Sequence, residues 1–227
     1  MPIKTKRLRI LPLTDDELRA AKAAETDPHM KAAYAEMLEG CLANPDRRLW
    51  YTEWRITLAE TGAAVGGAGF KGPQVNGAVE IGYGIDADFR GRDYATEAVG
   101  ALVDWAFSQG DVYFIQAETD PENTASKRVL EKLNFSPAGM GSEGPLFRKE
   151  RPLVSWTAIF LCLGLSVGLT LGLGIGLSLS TAINGAAIGL SIGVSIGLAL
   201  GTALDSAVKK NRKAIRAALD GSAGREV

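Results

Sequence analysis

One histidine and two cysteines are all that 227 residues offer of the side chains most used for metal binding and nucleophilic relays. A single histidine argues against a histidine-based triad and against a multi-histidine metal site, so no metal is expected. His29 itself follows Asp27-Pro28 and reads as a surface residue at a helix start. Cys41 and Cys162 are too few and too far apart for a disulfide framework, and both are expected to be buried thiols of a reducing compartment. A net charge of −1 supplies no global attraction to nucleic acid. The first residues, MPIKTKRLRILPLT, lack the uninterrupted apolar core of a signal peptide.

The largest gap is one of charge: Pro152 to Leu204 holds no Asp, Glu, Lys or Arg. Two apolar stretches, about Val154–Gly176 and Gly185–Leu204, flank a more polar centre with Ser178, Ser180, Thr181 and Asn184. At about 1.5 Å per helical residue, each stretch can cross a hydrocarbon core of about 30 Å. Basic residues flank the outer ends: Arg148, Lys149 and Arg151 before, then Lys209, Lys210, Arg212, Lys213 and Arg216 after. The pattern predicts a transmembrane helical hairpin in residues 150–227, with both ends on the cytoplasmic side. Gly164, Gly168, Gly172 and Gly176 recur every four residues, as do Gly185, Gly189, Gly193, Gly197 and Gly201. Such glycine-zipper stripes allow close helix approach, either within the hairpin or between copies in a homo-oligomer.

Residues 1–149 read as an α/β domain. Leu8–Leu13 has strand character, and Thr14 with Glu17 has capping-box spacing for a following helix. Asp27-Pro28 opens a second helix to about Leu42. Trp54, Ile56 and Leu58 alternate with polar residues before a Thr61-Gly62 turn into Ala64–Phe70. Val79, Ile81, Tyr83 and Ile85 repeat the strand period, and Ala95, Val99, Leu102, Val103 and Ala106 then form one helical face. Between them lies Arg90-Gly91-Arg92. A strand, a basic glycine turn and a helix N-terminus make an anion site. Many such units carry Arg and Gly, so the mechanics alone leave both a phosphate site and a solvated basic loop open.

A second block follows a strand at Val112–Thr119. In DPENTASKRVLEKLNF, Asp120 stands at an N-cap position with Pro121 at N1, and Ala125, Val129, Leu130 and Leu133 share a face. In this order the two blocks resemble the GNAT superfamily of acyl-CoA-dependent N-acetyltransferases, with the flavour of the ribosomal-protein N-terminal acetyltransferases. Arg90 to Ala95, RGRDYA, fills that family's phosphate loop with one departure, and Asn123, Ser126, Glu131, Lys132 and Phe135 meet its later signature. The resemblance covers about Thr5 to Lys149. It implies a GNAT-like mixed central sheet flanked by helices, with acetyl-CoA as cosubstrate and a primary amine as acceptor.

The resemblance also assigns roles. Arg90, Gly91, Arg92, Asp93, Tyr94 and Ala95 would hold the pyrophosphate, and Ile85 and Ala87 would lie beside the pantetheine. Glu80 interrupts an apolar strand where many members carry a catalytic glutamate; it is either the base that deprotonates the amine or a carboxylate on the wet face of that strand. Glu118, at a strand end, is a second carboxylate with the same alternatives. Asn123 either positions the pantetheine arm or caps its own helix. Leu130 occupies the position where many members place a tyrosine acid, leaving Ser126, water or no dedicated acid. Asp93 and Asn134 replace two family glycines, and both residue types tolerate left-handed backbone. The Asp93 charge would oppose pyrophosphate unless it turns away.

The whole chain therefore reads as a membrane-anchored N-acetyltransferase of the cytoplasmic face, acting by direct attack of the amine. Partners would be the amine acceptor and membrane lipid, without nucleic acid. Two other readings stand beside it: a non-catalytic acyl-CoA sensor, and a membrane oligomerisation protein with an accessory GNAT domain.

Overall fold

The computed structural model describes residues 2–178 and 182–223, with side chains over 2–173 and 186–221. Two compact units result: Met1–Arg151 with Asp220–Val227, and Pro152–Leu219.

The first unit runs β1 (Ile3–Lys4), β2 (Leu8–Pro12), α1 (Asp15–Ala24), α2 (Pro28–Ala43), β3 (Glu53–Leu58), β4 (Ala64–Phe70), β5 (Ala78–Ile85), α3 (Tyr94–Ser108), β6 (Phe114–Glu118), α4 (Thr124–Lys132), β7 (Ser136–Met140) and β8 (Pro145–Glu150). Short 3₁₀ segments at Pro45–Trp50 and Ala87–Phe89 lead into β3 and α3. The eight strands form one sheet in the order β1-β2-β3-β4-β5-β6-β8-β7. Pairing is antiparallel except between β5 and β6. This is the expected mixed sheet flanked by helices.

Period-two alternation sorts the side chains between the two faces. Trp54, Ile56, Val79 and Ile81 join Val99, Leu102, Val103 and Ala106 of α3 in the main core. Trp105 packs against Trp50, Trp54 and Phe70 with ring centroids 4.7–5.6 Å apart. On the other face α1 and α2 enclose a smaller core of Leu13, Leu18 and Cys41. The helix starts follow local chemistry. Thr14 and Glu17 complete the expected capping box, and Asp27 accepts from His29 N.

One start differs from expectation: α4 is capped by Asn123, not Asp120. Asp120 Oδ1 instead accepts from Glu122 N at 2.6 Å, a local turn that uses up its capping ability before the helix begins. Ala125, expected on the apolar face, is exposed near the start of α4, and Leu130 is the side chain of this helix that is fully buried.

The second unit contains α5 (Trp156–Ser178) and most of α6 (Ala182–Ala223). The first expected stretch begins two residues before α5 and the second lies within α6, which runs on through the basic segment that was expected to be a tail. Lys, Arg and Ala between Val208 and Ala218 are good helix formers and hold no breaker, so nothing stops the helix at Leu204. A Cβ added at Gly164 or Gly168 would run into the carbonyl of Gly193 or Gly189 respectively. The glycines therefore let the two backbones touch within one chain. Asp205 completes the pairing by accepting from Trp156 N at 2.7 Å and Thr157 Oγ1 at 2.6 Å, capping the start of α5. Cys41 is buried as expected, whereas Cys162 is exposed on α5, among exposed apolar side chains such as Ile159 and Leu163. Ser180 and Thr181, read from sequence as the turn, lie outside the described residues.

Candidate active site

The β5–β6 pair is the one parallel join in the sheet, and it is short. Register partners are Ala78↔Phe114, Val79↔Ile115 and Glu80↔Gln116, while β5 itself continues to Ile85. Glu80 O accepts from Lys71 N at 3.0 Å and Asp86 N donates to Val65 O at 2.9 Å, both toward β4. Strand alternation therefore turns the peptide groups of Ile81, Tyr83 and Ile85 to the opposite edge, where β6 pairing has ended. A splayed strand edge with Glu80 at its closed end is the result.

The loop from β5 to α3 sits at the open end. Ala87, expected to extend the strand edge, lies beyond it in a 3₁₀ turn and accepts from Arg90 N. Arg90 Nε donates to Ile85 O at 3.0 Å, folding the loop back on the strand end. Gly91 and Asp93 have φ of +74° and +60°, so two left-handed residues curl the backbone into the start of α3. Glu97 N is the first donor to bond within this helix, to Asp93 O. The amides of Tyr94, Ala95 and Thr96 precede it and have no helical acceptor. Thr96 Oγ1, in the same turn, is buried without a hydrogen-bond partner among the described residues. Left-handed loop, free amides, an orphan hydroxyl and two arginines fit a pyrophosphate.

Charge around the loop is ordered. The Asp93 carboxylate meets Lys132 Nζ at 2.5 Å. That hydrogen bond and charge hold its pKa below the usual value. Arg92 lies over the Phe89 ring at 5.7 Å. Glu97 accepts from Thr5 Oγ1 at 2.6 Å, Arg7 N at 2.8 Å and Arg7 Nε at 2.7 Å. Burial alone would raise the Glu97 carboxyl, but these donors outweigh it and its pKa falls below the ordinary value. They fasten the β1–β2 turn to the first turn of α3.

On the α3 face, the Tyr83 hydroxyl stands 2.9 Å from Ser126 Oγ. Burial pushes the Tyr83 phenol up. Asn123 Oδ1 accepts from Ser126 N at 2.9 Å, so in this structure it serves its own helix. Leu130 is fully buried in the core. Tyr83 was missed as a site residue because strand alternation marks it only as a packing position, with α4 brought over it by the fold.

Glu80 faces the other side of the sheet, toward α1 and α2. Its carboxylate is 2.6 Å from Lys71 Nζ, and Glu143 lies 3.0 Å from the same ammonium. Both carboxylates hold Lys71 in its charged form and raise its pKa against the effect of burial. Beside Glu80 the β4–β5 pair is glycine: register places Gly82 against Gly69 and Gly84 against Gly67. A Cβ at Gly82 or Gly84 would meet nothing within 4 Å. Glu53, opposite Gly69 in register, lays its carboxylate over Gly67 and so forms the far end of this glycine floor. Burial raises its pKa, and burial with the Glu53 charge drives Tyr34 up to about 12. Glu118 Oε2 accepts from Glu143 N at 2.7 Å and so orders the β7–β8 turn. The structure thus brings Glu80, Ile85, the Arg90–Ala95 loop and Ser126 around one splay, with Glu80 and Ser126 on opposite faces.

Comparison with known proteins follows this geometry. Residues 7–136 match the family profile described as an acetyltransferase (GNAT) domain. A Bacillus subtilis (strain 168) protein described as uncharacterized N-acetyltransferase YjdG is 37% identical over 86 residues, 37% of this chain and 51% of that one. The chain thus spans about half the length of the curated relatives it matches. An acetyltransferase from Agrobacterium tumefaciens str. C58 has the same fold over 66% of this chain and 95% of its own, with TM-score 0.52 and 24% identity. So does RimL, a ribosomal L7/L12 α-N-protein acetyltransferase in complex with coenzyme A, over 66% and 98%, with TM-score 0.53 and 16% identity.

Proposed function

The chain belongs to the GNAT acetyltransferases, and from that premise we propose that it transfers an acetyl group from acetyl-CoA to a primary amine by direct attack. The observation that carries this reading is the β5–β6 splay, closed by Glu80 at one end and opened onto the curled N-terminus of α3 at the other. Arg90, Gly91, Arg92, Asp93, Tyr94 and Ala95 hold the pyrophosphate through backbone amides and guanidinium charge. The edge groups of Tyr83 and the Ile85 N–H take the amides of the pantetheine arm, with Ala87 at the turn above them. Asn123 fixes the first turn of α4 and through it Ser126.

A lysine-like amine has a pKa of about 10.4 and arrives charged. The bare glycine floor between Glu53 and Glu80 gives such an ammonium a path to a carboxylate. Glu80 takes its proton, the neutral amine attacks the thioester carbonyl, and the carbon–sulfur bond breaks. Ser126, polarised by Tyr83, returns a proton to the thiolate on the opposite face. Asp93 and Leu130 are the departures that suggest a non-catalytic sensor; for Asp93, its bond to Lys132 supplies a local partner for that charge.

Residues 152–219 form the membrane anchor in this reading. Two helices are long and apolar enough to cross a membrane, over Trp156–Leu173 and Ala186–Gly221. Leu163, Val167, Leu171, Ile188, Ile192 and Ile196 are all exposed, a surface that suits lipid better than water. The basic residues flanking both outer ends favour a cytoplasmic catalytic domain.

The test is calorimetric titration of coenzyme A into the full chain in detergent. Replacing Arg90 and Arg92 together by alanine should weaken binding, each lost charge-assisted contact being worth about 1.5–3 kcal/mol. Unchanged affinity would remove the loop from the cofactor site.

A further inference from the structure

The proposed reaction requires an amine within hydrogen-bond reach of Glu80. The chain already supplies one. Lys71 follows β4 directly, and its backbone N–H bonds Glu80 O across the β4–β5 join. Its ammonium reaches the same Glu80 carboxylate at 2.6 Å. The Lys71 side chain is 49% exposed, so the amine is not sealed beneath the sheet. Three other lysines have different partners: Lys132 pairs with Asp93, Lys127 donates to Pro121 O and Lys149 to Leu133 O.

We propose that Lys71 is an acetyl acceptor of its own active site. This rests on the acetyltransferase reading above, because a thioester that an amine at Glu80 can attack is also within reach of the amine already bound there. The Lys71 ammonium gives one proton to Glu80. The neutral nitrogen forms a bond to the thioester carbonyl carbon, the carbon–sulfur bond breaks, the nitrogen's second proton passes to the leaving thiolate to give CoA, and Glu80 releases its proton to solvent. The product is N-acetyl-lysine, with no change of oxidation state. The amide carries no charge, so the step also dissolves both ion pairs, Lys71–Glu80 and Lys71–Glu143. Glu80 then faces the glycine floor without its internal countercharge. An occupied lysine gives up its proton reluctantly, so the modification is a single slow event per chain rather than a turnover.

The experiment incubates the full chain in detergent with acetyl-CoA carrying a ¹³C-labelled acetyl group, and follows site occupancy by peptide mass mapping. Thermal stabilisation by acetyl-CoA and transfer to an added amine panel are measured in parallel. Label should enter Lys71 about 10-fold or more faster than Lys127 or Lys209, and Glu80→Gln should slow that entry by about 10²-fold. If acetyl-CoA stabilises the chain and an added amine is acetylated while Lys71 labels no faster than Lys127, the inference fails and the acetyltransferase reading stands. If acetyl-CoA neither stabilises nor transfers, both fail.

Discussion

Asp93 and Lys132 meet at 2.5 Å, joining the residue that caps α3 to the last turn of α4. The pair is exposed, so it adds little to stability. Its consequence is electrostatic, because it gives a carboxylate in the phosphate loop a partner away from the loop. Lys132→Met should therefore weaken coenzyme A binding although Lys132 is not one of the proposed cofactor contacts. Asp93→Gly should bind as well as the parent or better, since glycine accepts the +60° backbone without strain. The double variant should recover the affinity lost by Lys132→Met alone. Titrations of the three variants check this, and an uncoupled pair would show that the Asp93 charge does not reach the ligand.

That relationship marks how far the sequence was legible. Asp93 and Asn134 were readable as left-handed residues, and both have positive φ, +60° and +58°. The local chemistry of αL tolerance is written in residue type. The partner of Asp93 was not readable, because Lys132 lies 39 positions away and meets it only once α4 packs beside α3. The same distinction holds for Glu80. Its interruption of an apolar strand was visible, but Lys71 and Glu143 arrive through cross-strand register and a turn. Tyr83 was hidden by its own regularity, for an aromatic in phase with Ile81 and Ile85 looks like core. The start of α4 was misplaced because Asp120 and Asn123 both have capping chemistry, and the local turn in which Asp120 accepts from Glu122 N leaves the cap to Asn123.

Glu97 carries a pH dependence with a definite sign. Its folded pKa lies below the ordinary carboxyl value of 4.5, because Thr5 and Arg7 donate to its charged form despite the opposing effect of burial. The stability it contributes is present above the unfolded pKa and is lost as pH falls through the folded one. Glu97→Ala should cost about 1–2 kcal/mol at pH 7, allowing for the part-exposed Arg7 partner. The difference from the parent should shrink below about pH 4. Urea melts across that range measure it.

Tyr83 and Ser126 should act together. Tyr83→Phe removes the hydroxyl 2.9 Å from Ser126 Oγ while keeping the ring in place. Turnover should fall with little change in acetyl-CoA affinity, and Ser126→Ala should fall at least as far. The double variant should be no worse than Ser126→Ala, the non-additivity expected of groups acting as a unit. Additive losses would mean that Tyr83 does not work through Ser126.

Close backbone contact between α5 and α6 predicts intolerance at Gly193, where an added Cβ would meet the Gly164 carbonyl. Gly193→Leu must separate the helices and remove the contact that lets Asp205 cap Trp156 and Thr157. Cysteines placed at Thr157 and Asp205, whose side chains meet across the helix pair, with Cys41 and Cys162 replaced, report the helix pairing through crosslinking yield. The yield should drop in the Gly193→Leu background and persist in the parent.

The most direct test is coenzyme A release from acetyl-CoA by the full chain across a panel of primary amines, measured for the parent and for Glu80→Gln. At least one amine should raise release above the amine-free rate in the parent. Glu80→Gln should lower that rate by about 10²–10⁴-fold, the range for loss of a general base, with acetyl-CoA affinity little changed. Release in Glu80→Gln equal to that of the parent would contradict the account, leaving Glu80 as the partner of Lys71 and the β5–β6 splay without its base.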